Sequence, residues 1–171
     1  MRTSLVILVA LAVVGAAGCG STSKHSAKSK PSSSGKAPKA HEPVMYGHVI
    51  AMTRTGKQYE LRFDPALWLT GVSAQRAAKE DTGSSDVPND YYVIEEGHRL
   101  ITFLVPASAS VTVLTNHGEG PLGETPITVD EFAAIVQGKN PKHRQLMEPK
   151  AGFWIHVSGD TVRSLDQQYQ P

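Results

Sequence analysis

"VMYGHVIAMTRTGKQYELRF", Val44 to Phe63, decides the fold. Apolar and polar side chains alternate on either side of Thr55-Gly56, the pattern of two antiparallel strands joined by a tight turn. The alternation predicts a hairpin over roughly Met45–Thr53 and Gln58–Phe63. Side chains along a strand point to opposite faces in turn. In the second arm Tyr59, Leu61 and Phe63 therefore face one way, and Glu60 and Arg62 the other. In the following "DPALWLTG", Pro65 is expected to end the strand, and Leu67, Trp68 and Leu69 to cap the core.

Outward from the hairpin, "VSAQRAAKED" predicts a short helix from Val72 to Glu80, its core face Val72 with alanines. "DYYVIEEGHRLITFLV" reads as two strands around Glu95–His98, and "SVTVLT" as another. "ITVDEFAAIVQG" is the cleanest helix. Thr128 and Glu131 have capping-box spacing, Ile127 and Phe132 staple spacing, and Gly138 suits the end; Phe132, Ile135 and Val136 form the apolar stripe. "GFWIHVSGDTVRSL" is a last hairpin turning at Gly159-Asp160. About seven short strands and two helices imply an α+β fold. Its core is expected to be a small, strongly curved antiparallel sheet or barrel, of which an OB-like barrel is one form, although the element order is not a simple OB pattern.

The N-terminal segment indicates location. Arg2 precedes an apolar run, Leu5 to Ala17, of the length of a signal-peptide core and too short to span a bilayer comfortably. It ends in "AAGC", Ala16 to Cys19, with the only cysteine of the chain. This resembles the lipobox of bacterial lipoproteins. The resemblance implies a leader over residues 1–18, removed by cleavage, and a lipid on the sulfur of Cys19 that anchors the protein to the extracytoplasmic face of the cell membrane. A lone exported cysteine has no intramolecular disulfide partner, so lipidation explains it better than folding does.

Residues 19–43 read as a tether. Gly20 to Pro43 holds no aromatic or large aliphatic residue, so it cannot bury enough surface to offset the entropy of ordering. Its charges are Lys24, Lys28, Lys30, Lys36 and Lys39 against Glu42, suited to anionic lipid head groups next to an anchor. Residues 44–171 are expected to form one globular domain with 11 Lys and Arg against 15 Asp and Glu. That acidic balance, with export, argues against nucleic acid as a partner.

"FDPALWLTG", "AAKED", "DVPNDYYV", "ITVDEF" and "DQQYQP" together resemble a group of small exported bacterial proteins. The resemblance covers most of Tyr46 to Pro171 and implies one exported domain; it implies no activity, substrate or cofactor.

The densest group of hard oxygen donors is "EDTGSSDVPNDYYV", Glu80 to Val93. Asp81, Asp86, Asn89 and Asp90 on a curved loop are the ligand types Ca²⁺ takes. The spacing is not that of an EF-hand, and Asp and Asn are also ordinary turn residues that bond their own backbone, the reading favoured here. Catalysis by these acids would require carboxyl groups set across a cleft, and the adjacent Glu95 and Glu96 should diverge. His48 and His156 are expected on strands, where they can meet; no His-Glu-x-x-His or His-x-His pair indicates zinc. No Gly-x-Ser-x-Gly marks a nucleophile, and Gly118, Gly120 and Gly123 read as an exposed loop. The basic "NPKHR", Asn140 to Arg144, follows the second helix, where cations suit the negative helix end.

Tyr91-Tyr92 and Phe153-Trp154 each place one ring inward and one outward on a strand. Tyr92 and Trp154 are the candidate binding surface for an envelope glycan or protein; a helix over that face would put all four rings in the core, and three of the four are expected there. The expected function is a non-enzymatic binding module of the cell envelope. One alternative is a cation-dependent envelope hydrolase using Asp81, Asp86 and Asp90 with a strand histidine. Another is an inhibitor of an envelope enzyme that makes contact through Asn116–Gly123.

Overall fold

Among the described residues, eight strands and two short helices build the fold in the order β1 (Val44–Thr55), β2 (Gln58–Thr70), α1 (Gly71–Thr82), β3 (Tyr91–Glu95), β4 (Ile101–Pro106), β5 (Ser110–Thr115), β6 (Gly123–Ile127), α2 (Val129–Val136), β7 (Phe153–Ser158) and β8 (Thr161–Gln167). The computed structural model describes residues 42–171 except 96, 98, 117, 119, 149 and 150. The expected leader, Cys19 and the expected tether as far as residue 41 lie outside the described residues, as do His98 and His117. No helix among the described residues is long and apolar enough to cross a membrane.

The sheet is mixed rather than wholly antiparallel. β1 pairs antiparallel with β2 and with β7, and β7 with β8. β8 then runs parallel to β4 and β5, and β4 returns antiparallel to β2. The pairing therefore travels β1-β2-β4-β8-β7 and back to β1. β4 meets β8 at one residue pair, Leu104 with Thr161, beside a 2.8 Å bond from the Leu104 N–H to the Asp160 carbonyl. The sheet is curved and partly ring-like without being a clear barrel.

β2 holds this arrangement together. Its first half pairs with β4 (Gln58–Phe63) and its second with β3 (Ala66–Thr70). Pro65 does not end the strand, because it lies in the gap between those two partners, where its missing N–H breaks no ladder bond. Opposite Pro65 stands Gly47 of β1. A Cβ at Gly47 would overlap the Asp64 carbonyl and come within 2.8 Å of Pro65 Cα and 2.9 Å of Phe63 Cε1, so only glycine allows β1 this close.

The inward residues of these strands form one core. Leu61, Phe63, Val105, Ile155, Val162 and Leu165 are fully buried, each burial worth about 1.5–3 kcal/mol before entropy is counted. α2 packs against β1 and β5 and sets the Phe132 ring 5.1 Å from Phe153, edge to face. The Thr128 side chain accepts the Glu131 N–H at 3.2 Å as the N-cap, and Gly138 takes the left-handed conformation just past the helix. α1 packs on β3 and β2 through Ala74 and Ala78, whereas Val72 is 72% exposed and outside the core.

Candidate functional site

Four neighbouring strands, in the order β3-β2-β1-β7, each present one aromatic ring on the outer face of the sheet. Tyr91 stacks on Trp68 at 4.1 Å and 15°. Trp68 meets Tyr46 at 4.9 Å and 67°, and Tyr46 meets Trp154 at 5.1 Å and 56°. Parallel stacking and tilted edge contacts are the arrangements that ring quadrupoles favour. The row arises from strand parity. Tyr46 lies opposite both Ala66 and Trp154, and Trp68, two residues beyond Ala66, lies opposite Val93.

Tyr46 is the buried centre of this row, whereas Trp68, Tyr91 and Trp154 are half-buried and keep part of their surface open. The segment after β8 satisfies the polar atoms. Trp154 Nε1 donates to Gln168 Oε1 at 2.8 Å, and Gln170 Nε2 donates to the Tyr46 hydroxyl at 2.8 Å. Burial, with Glu95 and Tyr91 nearby, pushes the Tyr46 hydroxyl up to about 12, so it stays protonated. His48 stands edge-on to Tyr46 at 6.1 Å, its Nε2 3.1 Å from Glu95 Oε1. The row thus ends in a polar rim.

Tyr92 and Trp154 do not share a surface. Trp154 belongs to the row, but Tyr92 points away from Tyr91 and donates a hydrogen bond to Asp81 of α1, which holds its own hydroxyl above the usual tyrosine range. Of the two doublets only Phe153 enters the main core. The rings that accompany Trp154 are Trp68 and Tyr91. Strand parity carries this information once β2 is continued through Pro65.

The acids of residues 80–90 are divided. Glu80, Asp81 and Glu95 line a cavity of about 500 Å³ with Ala77, Tyr92, Val93 and Ile94. Asp86 and Asp90 line another, of about 480 Å³, with Thr70, Gly71, Ala74, Gln75, Ser85 and Val87. Asn89 Nδ2 reaches the Pro171 carbonyl at 3.5 Å. Among the described residues no three His, Cys, Asp or Glu side chains converge in a group able to hold a metal ion. Among the described residues neither cavity wall includes a histidine.

A charge cluster that the sequence did not reveal surrounds Glu131. Its side chain is 4% exposed, accepts from Arg144 Nε at 2.6 Å and has Lys142 Nζ 2.8 Å from Oε2. The ammonium lies off hydrogen-bond geometry, since Oε2 makes no hydrogen bond among the described residues. Asn140 closes the basic loop, accepting the Arg144 N–H at 2.9 Å and donating to its carbonyl at 2.7 Å. The cations of "NPKHR" therefore neutralise a buried acid in the first turn of α2 instead of the helix C-terminus.

The Arg144 hydrogen bond, against the opposing cost of burial and with help from Lys142, holds Glu131 below its ordinary 4.5. A depressed folded-state value contributes stability that is complete above the unfolded value and is lost as pH falls through the folded one. The melting temperature should therefore decline below about pH 4.5. Glu131→Gln should flatten that decline while costing about 1–3 kcal/mol at neutral pH. An unchanged acid limb in this variant would remove Glu131 from the account.

The Asn116–Gly123 segment borders a cavity of about 410 Å³ through Asn116 and Gly118, with Thr115, Arg144 and Gln145. No protein-family model, curated protein or solved structure matches the chain.

Proposed function

We propose that this protein is an exported, lipid-anchored binding module of the bacterial cell envelope, held at the extracytoplasmic face through Cys19 and presenting its aromatic row to an envelope glycan. The observation that carries the reading is the row itself: four rings from four adjacent strands, three of them half-open. Sugar C–H faces pack on such rings, and the rim of His48 and Glu95 offers hydroxyls charged and polar partners. The order of strands supports a finer reading. On that reading β1, β2, β4, β5, β7 and β8 with α2 are the parts of a small, partly open OB-like barrel, an architecture that carries binding faces in unrelated proteins.

The hydrolase alternative has less support. It needs Asp81, Asp86 and Asp90 with His48 or His156 around one cavity, and the cavities part Asp81 from the other two acids. Tryptophan fluorescence of the purified protein, titrated with soluble fragments of envelope polysaccharides, tests the binding reading. A saturable change should appear, and Trp68→Ala should weaken it at least about tenfold, or about 1.4 kcal/mol, without unfolding the protein. Equal binding by Trp68→Ala would overturn the assignment of the ring face. So would binding to an envelope protein and to no glycan.

A further inference from the structure

β3 is the terminal strand of the sheet and pairs only with β2 among the described strands. Its backbone on the side away from β2 is thus an open ladder. The other terminal strand, β6, carries Pro126 and so lacks one N–H. β3, Tyr-Tyr-Val-Ile-Glu, contains neither proline nor lysine, the usual guards of an exposed edge.

The cavity of about 500 Å³ beside β3 is lined by Tyr92, Val93, Ile94 and Glu95, four consecutive residues. Successive strand side chains point to opposite faces, so a cavity touching all four runs along the strand's edge rather than over either face. Its opposite wall is α1, through Ala77, Glu80 and Asp81. The charged lining is wholly acidic: Glu80, Asp81 and Glu95. The nearby cations of α1, Arg76 and Lys79, are not part of it. Asp81 accepts the Tyr92 hydroxyl through Oδ2.

We propose that the groove between α1 and the free edge of β3 binds an extended, lysine- or arginine-bearing peptide segment of a protein partner, which adds to the sheet as a further strand. Main-chain hydrogen bonds to the edge would supply affinity, and cationic side chains meeting Glu80, Asp81 and Glu95 would set the specificity. A second copy of this chain fits worse. Two-fold pairing of β3 with itself would bring two acidic linings together with no cation of the lining between them, and gathering like charges in one contact is unfavourable. This groove meets the aromatic row at Glu95, which also closes the rim with His48, so peptide binding is read from the peptide's anisotropy and the protection of β3 amides rather than from tryptophan fluorescence.

The test uses the full-length protein in detergent and an acetylated Lys-Val-Lys-Val-Lys-Val peptide, followed by fluorescence anisotropy and by hydrogen exchange at residues 91–95. The peptide should bind with an affinity that falls as salt rises, and should protect β3 amides. The Glu-Val counterpart should not bind. Glu80→Lys combined with Glu95→Lys should weaken binding at least about tenfold. Because those two side chains are exposed, the double variant should fold normally. A copy of the peptide N-methylated at alternate residues, chosen to block one ladder edge, separates strand addition from simple charge attraction. Equal binding of the N-methylated peptides of both phases, or indifference to the double charge reversal, would overturn the proposal. Concentration-dependent dimerisation through β3 that excludes the peptide would also overturn it.

Discussion

Gly47→Ala should lower the melting temperature by about 10 °C or more. The added methyl would overlap the backbone of β2 at Asp64 and approach Pro65 Cα, and backbone in a paired strand cannot step aside as a flexible side chain would. Overpacking usually costs about 1–3 kcal/mol, and this position belongs at or above the upper end, because β1 would have to separate from β2. At about 2–8 °C per kcal/mol across domains of this size range, the loss is easily seen by calorimetry. Gly120→Ala is the control: among the described residues beyond its chain neighbours no atom lies within 4 Å of the place its methyl would occupy, and the melting temperature should barely move. Gly152→Ala falls between them, since its methyl would strike the Tyr46 hydroxyl and disturb the ring row. A shift of a degree or less in Gly47→Ala would mean that the β1–β2 crossing is looser than described.

Cys19→Ser should move the protein from the membrane fraction to the soluble fraction. On the lipoprotein reading the sulfur carries the anchor, and a serine hydroxyl does not replace it. The five lysines between residues 24 and 39 complicate the assay at low ionic strength. Each basic residue near an anionic surface contributes about 1 kcal/mol, so together they can hold some protein without lipid. That attraction is screened by salt, whereas acyl chains are not. A wash at about 1 M salt, where the Debye length is about 3 Å, should therefore release the variant and retain the parent. Retention of both would remove Cys19 as the anchor, and release of both would remove the lipid.

The parts of the fold that local chemistry dictates are legible in the sequence. Alternation around Thr55-Gly56 locates the first hairpin, Gly159-Asp160 the last, and the Thr128 cap locates α2. Non-local decisions are not legible. Pro65 suggests a strand end because a proline's missing N–H is costly only if a partner needs it, and which partner lies alongside is set by β3 and β4. β6 leaves no signal because Gly123 and Pro126 are loop residues everywhere except on an edge. The parallel placement of β8 beside β4 and β5 leaves no local mark at all. The same limit affects the site. Local parity marks Trp154 as one of a pair of opposed rings, but its companions depend on continuing β2 to Thr70, and Glu131's partners lie 11 and 13 residues further along the chain. For the acids of residues 80–90, composition suggests a group that the turn of the chain at Gly83 then divides between two cavities.

The pairing of β8 with β4 and β5 also governs when the fold can be finished. β8 comes later in the chain than every other strand of the ring, and it supplies the partner for β7 on one side and for β4 and β5 on the other. A chain released N-terminus first, from a ribosome or through a membrane pore, can make the β1–β2 hairpin at once. It cannot close the sheet until residues 161–167 have emerged. Until then β5 and β7 stand with open edges, and closure must join segments about fifty residues apart, the kind of distant pairing that slows folding. The interval between synthesis and closure is the period in which this protein is most exposed to proteases and to aggregation.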